Sequence, residues 1–403
     1  MSAPPMPELL RDLTPQVLGV LVRRGGDFAT AEDAVQEALL EAVRRWPDDP
    51  PTDPKGWLIT VAWRKLVDAQ RSEAARRTRE ERVHDEPAPG PAEEHDDTLL
   101  LLFWCCHPAL TPASAVALTL RAVGGLTTRQ IGAAYLVPEA TMAQRISRAK
   151  RTVAREGIGA TGDLRTVLKV LYLMFNEGYG GDVDLAAEAI RVTRGLARAS
   201  AEPEVAGLLA LMLLHHARRS ARFTADGSLV PLAEQDRSRW DTTLIAEGVD
   251  VLQAALAVDR LGEYQAQAAI AALHCDAPTA AETDWPQILE WYDELLRLTD
   301  SPVVALNRAV AVGEVDGPLA GLRALEDVPA DVPRRTAAEA WLRERAGETA
   351  TARALYARAA DLAPSVAERS HLTRQAARLG RGVEPSWISG SEPPAAGSGR
   401  PGP

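Results

Sequence analysis

The chain has 403 residues, 46% of them hydrophobic and 25% charged, and a formal net charge of -11. This is length and apolar content for two or three domains, each with its own core, and it excludes an intrinsically disordered protein. Three cysteines, Cys105, Cys106 and Cys275, exclude a disulfide framework, and an adjacent pair lacks the spacing that lets two thiolates reach one tetrahedral zinc.

The acid is unevenly spread. Residues 1–155 hold 20 Lys+Arg against 21 Asp+Glu and residues 156–403 hold 25 against 35, so the two parts carry -1 and -10. A polyanionic partner is therefore disfavoured only for the C-terminal part. Met1 to Leu13 combines prolines with acidic groups rather than a basic stretch and an apolar run, so no export signal is expected. The longest apolar run, Val205 to Leu214, is too short to span a bilayer and is followed by His215, His216, Arg218 and Arg219. The expectation is a cytoplasmic protein with no membrane partner.

Alanine, leucine, arginine and glutamate recur at helical spacing and period-two alternation is almost absent, which predicts an all-α protein. Thr30 with Asp33 has the form of a capping box, after which Ala31, Ala34, Val35, Ala38, Leu39, Ala42 and Val43 make an apolar stripe. Glu32, Asp33, Gln36, Glu37 and Glu41 are expected on the opposite face. Asp53 and Pro54 predict the next helix start, a cap followed by proline at the first helical position. That helix has a core stripe of Leu58, Val61, Ala62, Leu66 and Ala69. Its other face carries Thr60, Trp63, Arg64, Val67 and Arg71, an unusual mixture of large apolar groups and cations. Glu80 to Asp97 is acidic with three prolines and reads as a linker.

Beyond it, Thr127 and Gln130 form another capping box, opening a short helix. A turn at Leu136 to Pro138 leads into a longer helix with Met142, Ile146, Ala149 and Val153 inward. Thr141, Gln144, Arg145, Arg148, Arg151 and Arg155 then point outward, and Thr141 to Arg155 contains no acid. This is the pattern of a helix-turn-helix with a basic recognition helix. Glu384 to Pro403, rich in glycine, proline and serine, reads as a disordered tail.

Two stretches, Ala31-Glu32-Asp33-Ala34-Val35-Gln36-Glu37-Ala38 and Gly56-Trp57-Leu58-Ile59-Thr60-Val61-Ala62-Trp63-Arg64-Lys65-Leu66-Val67-Asp68, resemble region two of the extracytoplasmic-function class of bacterial sigma factors. Leu126 to Arg151 resembles region four. Leu171 to Tyr179, Glu234 to Asp241 and Ser301 to Ala309 resemble the subgroup with a long tetratricopeptide-like C-terminal domain. Within that domain, Trp341 to Ala359 reads as one repeat unit, with Gly347, Ala352 and Ala359 letting paired helices approach and Tyr356 filling between them. The class usually has Asn at Trp63 or Arg64, and Gly and Ser where Leu136 and Pro138 stand.

The resemblance implies five segments: a region-two domain at 8–76, an acidic linker at 77–97, a region-four domain at 98–157, a tetratricopeptide-like domain at 163–380 and a tail at 381–403. It implies core RNA polymerase and promoter DNA as partners, with a protein partner or ligand for the C-terminal domain. Asp33, Gln36 and Glu37 are the polymerase-docking candidates. Trp63, Arg64, Lys65 and Arg71 supply the aromatic and cationic groups that hold a melted strand. Glu139, Thr141, Gln144 and Arg145 are candidates for reading base edges of the upstream element, with Arg148 and Arg151 on phosphates. The linker, by the same resemblance, would lie along the polymerase's active channel.

No catalytic constellation, cofactor motif or metal motif stands out, and no enzyme activity is expected. His107, His215, His216 and His274 are scattered, the pattern of core or surface residues. Asn176, Glu177, Tyr179, Gln235, Asp236, Arg237 and Trp240 have the composition either of a ligand pocket or of a buried polar network. The rival readings are a free-standing helix-turn-helix regulator and a repeat scaffold.

Overall fold

A computed structural model describes residues 6–25, 27–77, 98–135, 137–156, 163–176 and 184–381. The expected linker from residue 78 onward, Leu136 in the turn, Glu177 and Tyr179, and the tail from residue 382 lie outside the described residues. Among those described, eighteen α-helices account for the regular structure, and the nearest approach to a sheet is one isolated bridge between Phe223 and Leu229. The all-α expectation holds.

The chain divides into two compact units, one of residues 1–216 and 246–268, the other of residues 217–245 and 269–403. The first opens with α1 (Met6–Arg23), α2 (Phe28–Arg45) and α3 (Pro54–Arg77). Ala31, Ala34, Val35, Ala38 and Ala42 are buried as the spacing predicts, but Val43 is 49% exposed. The expected cap is wrong: Asp27, not Thr30, accepts from the Ala29 and Thr30 amides, so the helix starts at Phe28. With the helix begun one turn earlier, the Glu32 and Asp33 amides that Thr30 would have capped lie inside it, and Asp27 serves the free amides instead. Asp53 does cap α3, accepting from the Gly56 amide at 2.9 Å. Trp46 and Trp57 close the intervening loop edge to face, ring centroids 5.5 Å apart.

α4 (Thr98–Cys105), α5 (Pro112–Ala122), α6 (Thr128–Ala134) and α7 (Glu139–Glu156) follow, and α4 and α5 pack against α1. α7 packs on α2 as well, so the module that carries the helix-turn-helix lies against α1 and α2 within one unit. α8 (Leu164–Asn176), α9 (Leu185–Ala199) and α10 (Pro203–Ala217) belong mainly to this same unit, α8 resting on α4 and α5.

The Val205 to Leu214 run is the buried body of α10, with Leu208, Leu213 and Leu214 fully enclosed; a helix apolar on all sides needs neighbours on all sides. One neighbour, α12 (Glu263–Asp276), comes so close that a Cβ on Gly207 would stand 2.7 Å from the Gln265 amide nitrogen. Glu204 completes that contact by accepting from the amides of Tyr264 and Gln265, both at 3.1 Å, which satisfies free groups at the start of α12. Both α11 (Thr242–Leu256) and α12 run across the boundary between the units.

In the second unit, α13 (Trp285–Thr299), α14 (Pro302–Val315), α15 (Pro318–Glu326), α16 (Arg335–Arg345), α17 (Thr349–Leu362) and α18 (Val366–Arg381) form a consecutive series in which each helix from α14 onward packs on the one before it. Tyr356, Ala352 and Ala359 are buried between α16, α17 and α18, as the repeat pattern requires. Gly347 serves differently from expectation: it sits in the turn at φ +83° with open space around it, so its value is a left-handed backbone. Close approach falls instead to Gly313 and Gly321, where a Cβ on the latter would lie 2.9 Å from the Cα of the former.

Candidate nucleic-acid interface

The α6–α7 pair is built locally. Thr127 Oγ1 accepts from the Gln130 amide at 3.2 Å while Gln130 Oε1 accepts from the Thr127 amide at 2.9 Å, so both ends of the predicted capping box are closed. A side chain on Gly132 would put its Cβ 2.9 Å from the Val137 carbonyl oxygen, so glycine permits the tight turn into α7. Met142, Ile146, Ala149 and Val153 are all buried, and no other α7 residue is. The register of the helix follows: Glu139, Thr141, Gln144, Arg148 and Arg151 are exposed, and Arg145 is half-buried. Among the described residues no carboxylate pairs with Arg145 or Arg148.

Lys150 departs from this basic stripe. Its ammonium and the Arg121 guanidinium, the latter at 2.6 Å, both grip the carboxylate of Glu32, which is only 2% exposed. Glu32 was expected on the solvated face of α2. Its place is explained by register, since it borders the buried stripe one step from Ala31 and three from Val35. Burial pushes the Lys150 ammonium below its ordinary range, against the pull of Asp27, and lowers Arg121 likewise against Asp33.

On α3, Leu58, Ile59, Ala62 and Leu66 form the core, Val61 is half-buried and Ala69 is exposed. Trp63 is half-buried, with the Arg24 guanidinium 5.9 Å from its ring centre, while Arg64 and Arg71 are exposed. Lys65 is committed elsewhere, donating to Glu37 at 3.0 Å and lying 3.7 Å from Glu41. Two residues assigned to different partners therefore share one surface. Of the other α2 candidates, Asp33 is exposed and Gln36 half-buried. Partial burial raises the Asp33 carboxyl above its usual range, with Arg121 opposing and Asp27 and Glu37 adding to the rise.

One surface was missed. Leu40, 59% exposed, lies in a groove between α2 and α3 walled by Glu37, Glu41, Arg44, Arg45 and Lys65. The signal was present in a large apolar residue on a helix whose core stripe was already complete.

The polar phrase Gln235 to Trp240 is structural. Asp236 caps its own short turn through the Ser238 amide at 3.0 Å, and Arg237 donates to the carbonyls of His274 and Ala277 at 2.6 and 2.7 Å while covering the Trp240 ring. Those bonds satisfy free carbonyls around the end of α12. His274, edge-on to Trp285, is half-buried beside Arg218 and Arg237, and this partial desolvation, with the two cations adding to it, lowers its pKa to about 4. Among the described residues no group of three or more His, Cys, Asp or Glu is placed to hold a metal ion. Cys105 and Cys106 are buried, the Cys106 thiol pushed up to about 12 by burial, so neither is a ready nucleophile.

Comparison with known proteins matches residues 9–76 to sigma-70 region 2 and residues 100–153 to sigma-70 region 4. Residues 163–256 match DUF6596, a family of unknown function. The chain belongs to the extracytoplasmic-function class of sigma factors. It carries the long helical C-terminal extension as well. An uncharacterised protein of Rhizobium meliloti (strain 1021) is 39% identical over 94% of this chain and 96% of its own length. The "Probable ECF RNA polymerase sigma factor SigI" of Mycobacterium tuberculosis, from strains CDC 1551 / Oshkosh and ATCC 25618 / H37Rv, is 30% identical over 40% of this chain, which spans 64% of that relative. No solved structure matches significantly. No helix among the described residues of this sigma factor is long and apolar enough to cross a membrane.

Proposed function

We propose that this sigma factor brings core RNA polymerase to promoter DNA through three surfaces, with α7 reading the upstream element in the major groove. The observation that carries this reading is the two-faced α7: one side is spent on four core residues, and the other presents Thr141, Gln144, Arg148 and Arg151 to solvent with Arg145 at its edge. Glu139, Thr141, Gln144 and Arg145 lie toward the N-terminal end, where a recognition helix meets base edges, and Arg148 and Arg151 further along meet phosphates.

Trp63, Arg64 and Arg71 on α3 stack against and neutralise the displaced strand as the duplex opens. Lys65 joins them once polymerase has drawn Glu37 away from it. Asp33, Gln36 and Glu37, with Leu40 in the groove beside them, dock on the polymerase; an exposed leucine ringed by charges is the form of a protein contact. The extension regulates this activity, and the protein performs no covalent chemistry of its own.

Mixing the purified chain with core polymerase and a pool of genomic promoter fragments tests the reading. Initiation at a defined set of start sites is the expected result. Duplex binding without initiation would make the protein a free-standing regulator, and neither activity would make it a scaffold. The exposed Leu40 and the half-buried Trp63 favour the sigma reading, because an operator-binding regulator has no use for either.

A further inference from the structure

The region-two helices α1 and α2, the region-four helices α5 and α7, and the extension helix α9 meet at two ionic contacts. In the first, Glu32 of α2 holds Arg121 of α5 and Lys150 of α7 in a site that excludes water from the carboxylate. In the second, one guanidinium from the extension bridges both modules. Arg191 donates through Nη1 to Asp12 of α1 at 3.1 Å and through Nη2 to the Val123 carbonyl, just past α5, at 3.2 Å. Glu188, itself 6% exposed, fixes the Arg191 fork from one turn away, both carboxylate oxygens lying 3.1 Å from Nε. The two contacts converge on the end of α5, where Arg121 also donates to the Leu126 carbonyl at 3.1 Å. They differ in partner: Glu32 ties region two to region four directly, whereas Arg191 ties both to the extension.

We propose that Glu32 and Arg191 form a two-point latch that holds regions two and four of the free protein together, with the DUF6596 segment as its clasp. The proposal rests on the sigma reading, in which the two modules serve separate stretches of a promoter, so they must part before both are engaged. It assigns a job to the segment matched by a family of unknown function. The DNA-reading face of α7 stays exposed in the closed form, so the latch restrains the spacing of the modules and leaves each face uncovered. A single buried carboxylate with two cationic partners suits a switch, because parting the modules returns all three charges to water together. Arg191 makes the extension part of that decision: a movement of α9 withdraws one contact from each module at once.

The test uses the full chain with Cys275→Ser and spin labels on Thr60→Cys in α3 and Ala154→Cys in α7, both exposed positions. Pulsed electron resonance then reports the distance between the modules. The free parent should give one narrow, short distribution, and core polymerase should shift it to long distances. Glu32→Gln, which keeps the shape and removes the charge, and Arg191→Met, which keeps the stem, should each raise the long-distance fraction at least tenfold without polymerase. Circular dichroism and a thermal melt on the same samples establish that the variants are folded, and Arg194→Met, a guanidinium on the same helix paired with Glu247, is the control that should leave the distances unchanged. Folded Glu32→Gln and Arg191→Met proteins that keep the parent distribution would overturn the latch. Opening of the variants with no response of the parent to polymerase would uphold the latch and reject the sigma reading.

Discussion

Arg148 and Gln144 lie on the same exposed face of α7, one turn apart, yet they offer DNA different chemistry. A guanidinium on a phosphate contributes equally on every sequence, whereas an amide on a base edge discriminates. Arg148→Ala should therefore weaken binding on all promoters and reduce the salt dependence, while Gln144→Ala should reorder promoters by about 1–3 kcal/mol at one position. Binding to a panel of enriched fragments at two salt concentrations separates the two effects, and equal losses from both substitutions would remove the division of labour. His274 makes a different prediction. Burial beside Arg218 and Arg237 lowers its pKa from 6.5 to about 4, so in the folded chain it stays neutral where the unfolded chain takes up a proton. Its contribution to stability is complete above pH 6.5 and is lost as the pH falls toward 4, at about 1.4 kcal/mol per unit. Thermal melts across that range should show a fall that His274→Phe flattens.

Helices record how far local pattern carries. The four buried residues of α7 and the Thr127–Gln130 capping box follow from spacing of three and four residues, and the structure agrees at each one. The start of α2 did not follow, because Asp27 and Thr30 are both acceptable N-caps three residues apart and nothing in the pattern ranks the two starts. Glu32 was illegible for a stronger reason: its partners lie 89 and 118 residues away, so its burial is decided by tertiary contact alone. The Arg237 network had the same difficulty, since a buried carbonyl-binding arginine and a ligand-binding one have identical composition. Leu40 and the glycine crossing of α14 and α15 were legible but unread. At that crossing, Gly321→Ala would force its methyl to within 2.9 Å of Gly313 and 2.7 Å of Leu342. The helices must separate to admit it, and a loss of about 1–3 kcal/mol is expected by denaturant titration, against near-neutrality for alanine at the unencumbered Gly195 on α9, where helix propensity favours the change.

Across the whole molecule, charge and architecture divide at different places. The acid excess falls in residues 156–403, yet α8 to α10 from that stretch complete the core of the unit that holds regions two and four. Removing residues 165–403 would therefore strip a buried layer of Val167, Leu168, Leu171 and Met174 from against α4 and α5. The truncated protein should bind a hydrophobic dye strongly and melt below the full chain, and any change in its transcription would mix lost regulation with lost stability. Substitution at single contacts avoids that ambiguity.

The route of the backbone makes this more than a practical point. The polypeptide leaves the first unit after His216, returns at Ala246 and leaves again after Ala268, so each unit is assembled from two separate stretches of chain. A stop codon anywhere from 217 to 268 consequently damages both halves, so a shortened relative that lost its C-terminal end there would have had to rebuild the packing around its counterparts of α8 and α10 as well.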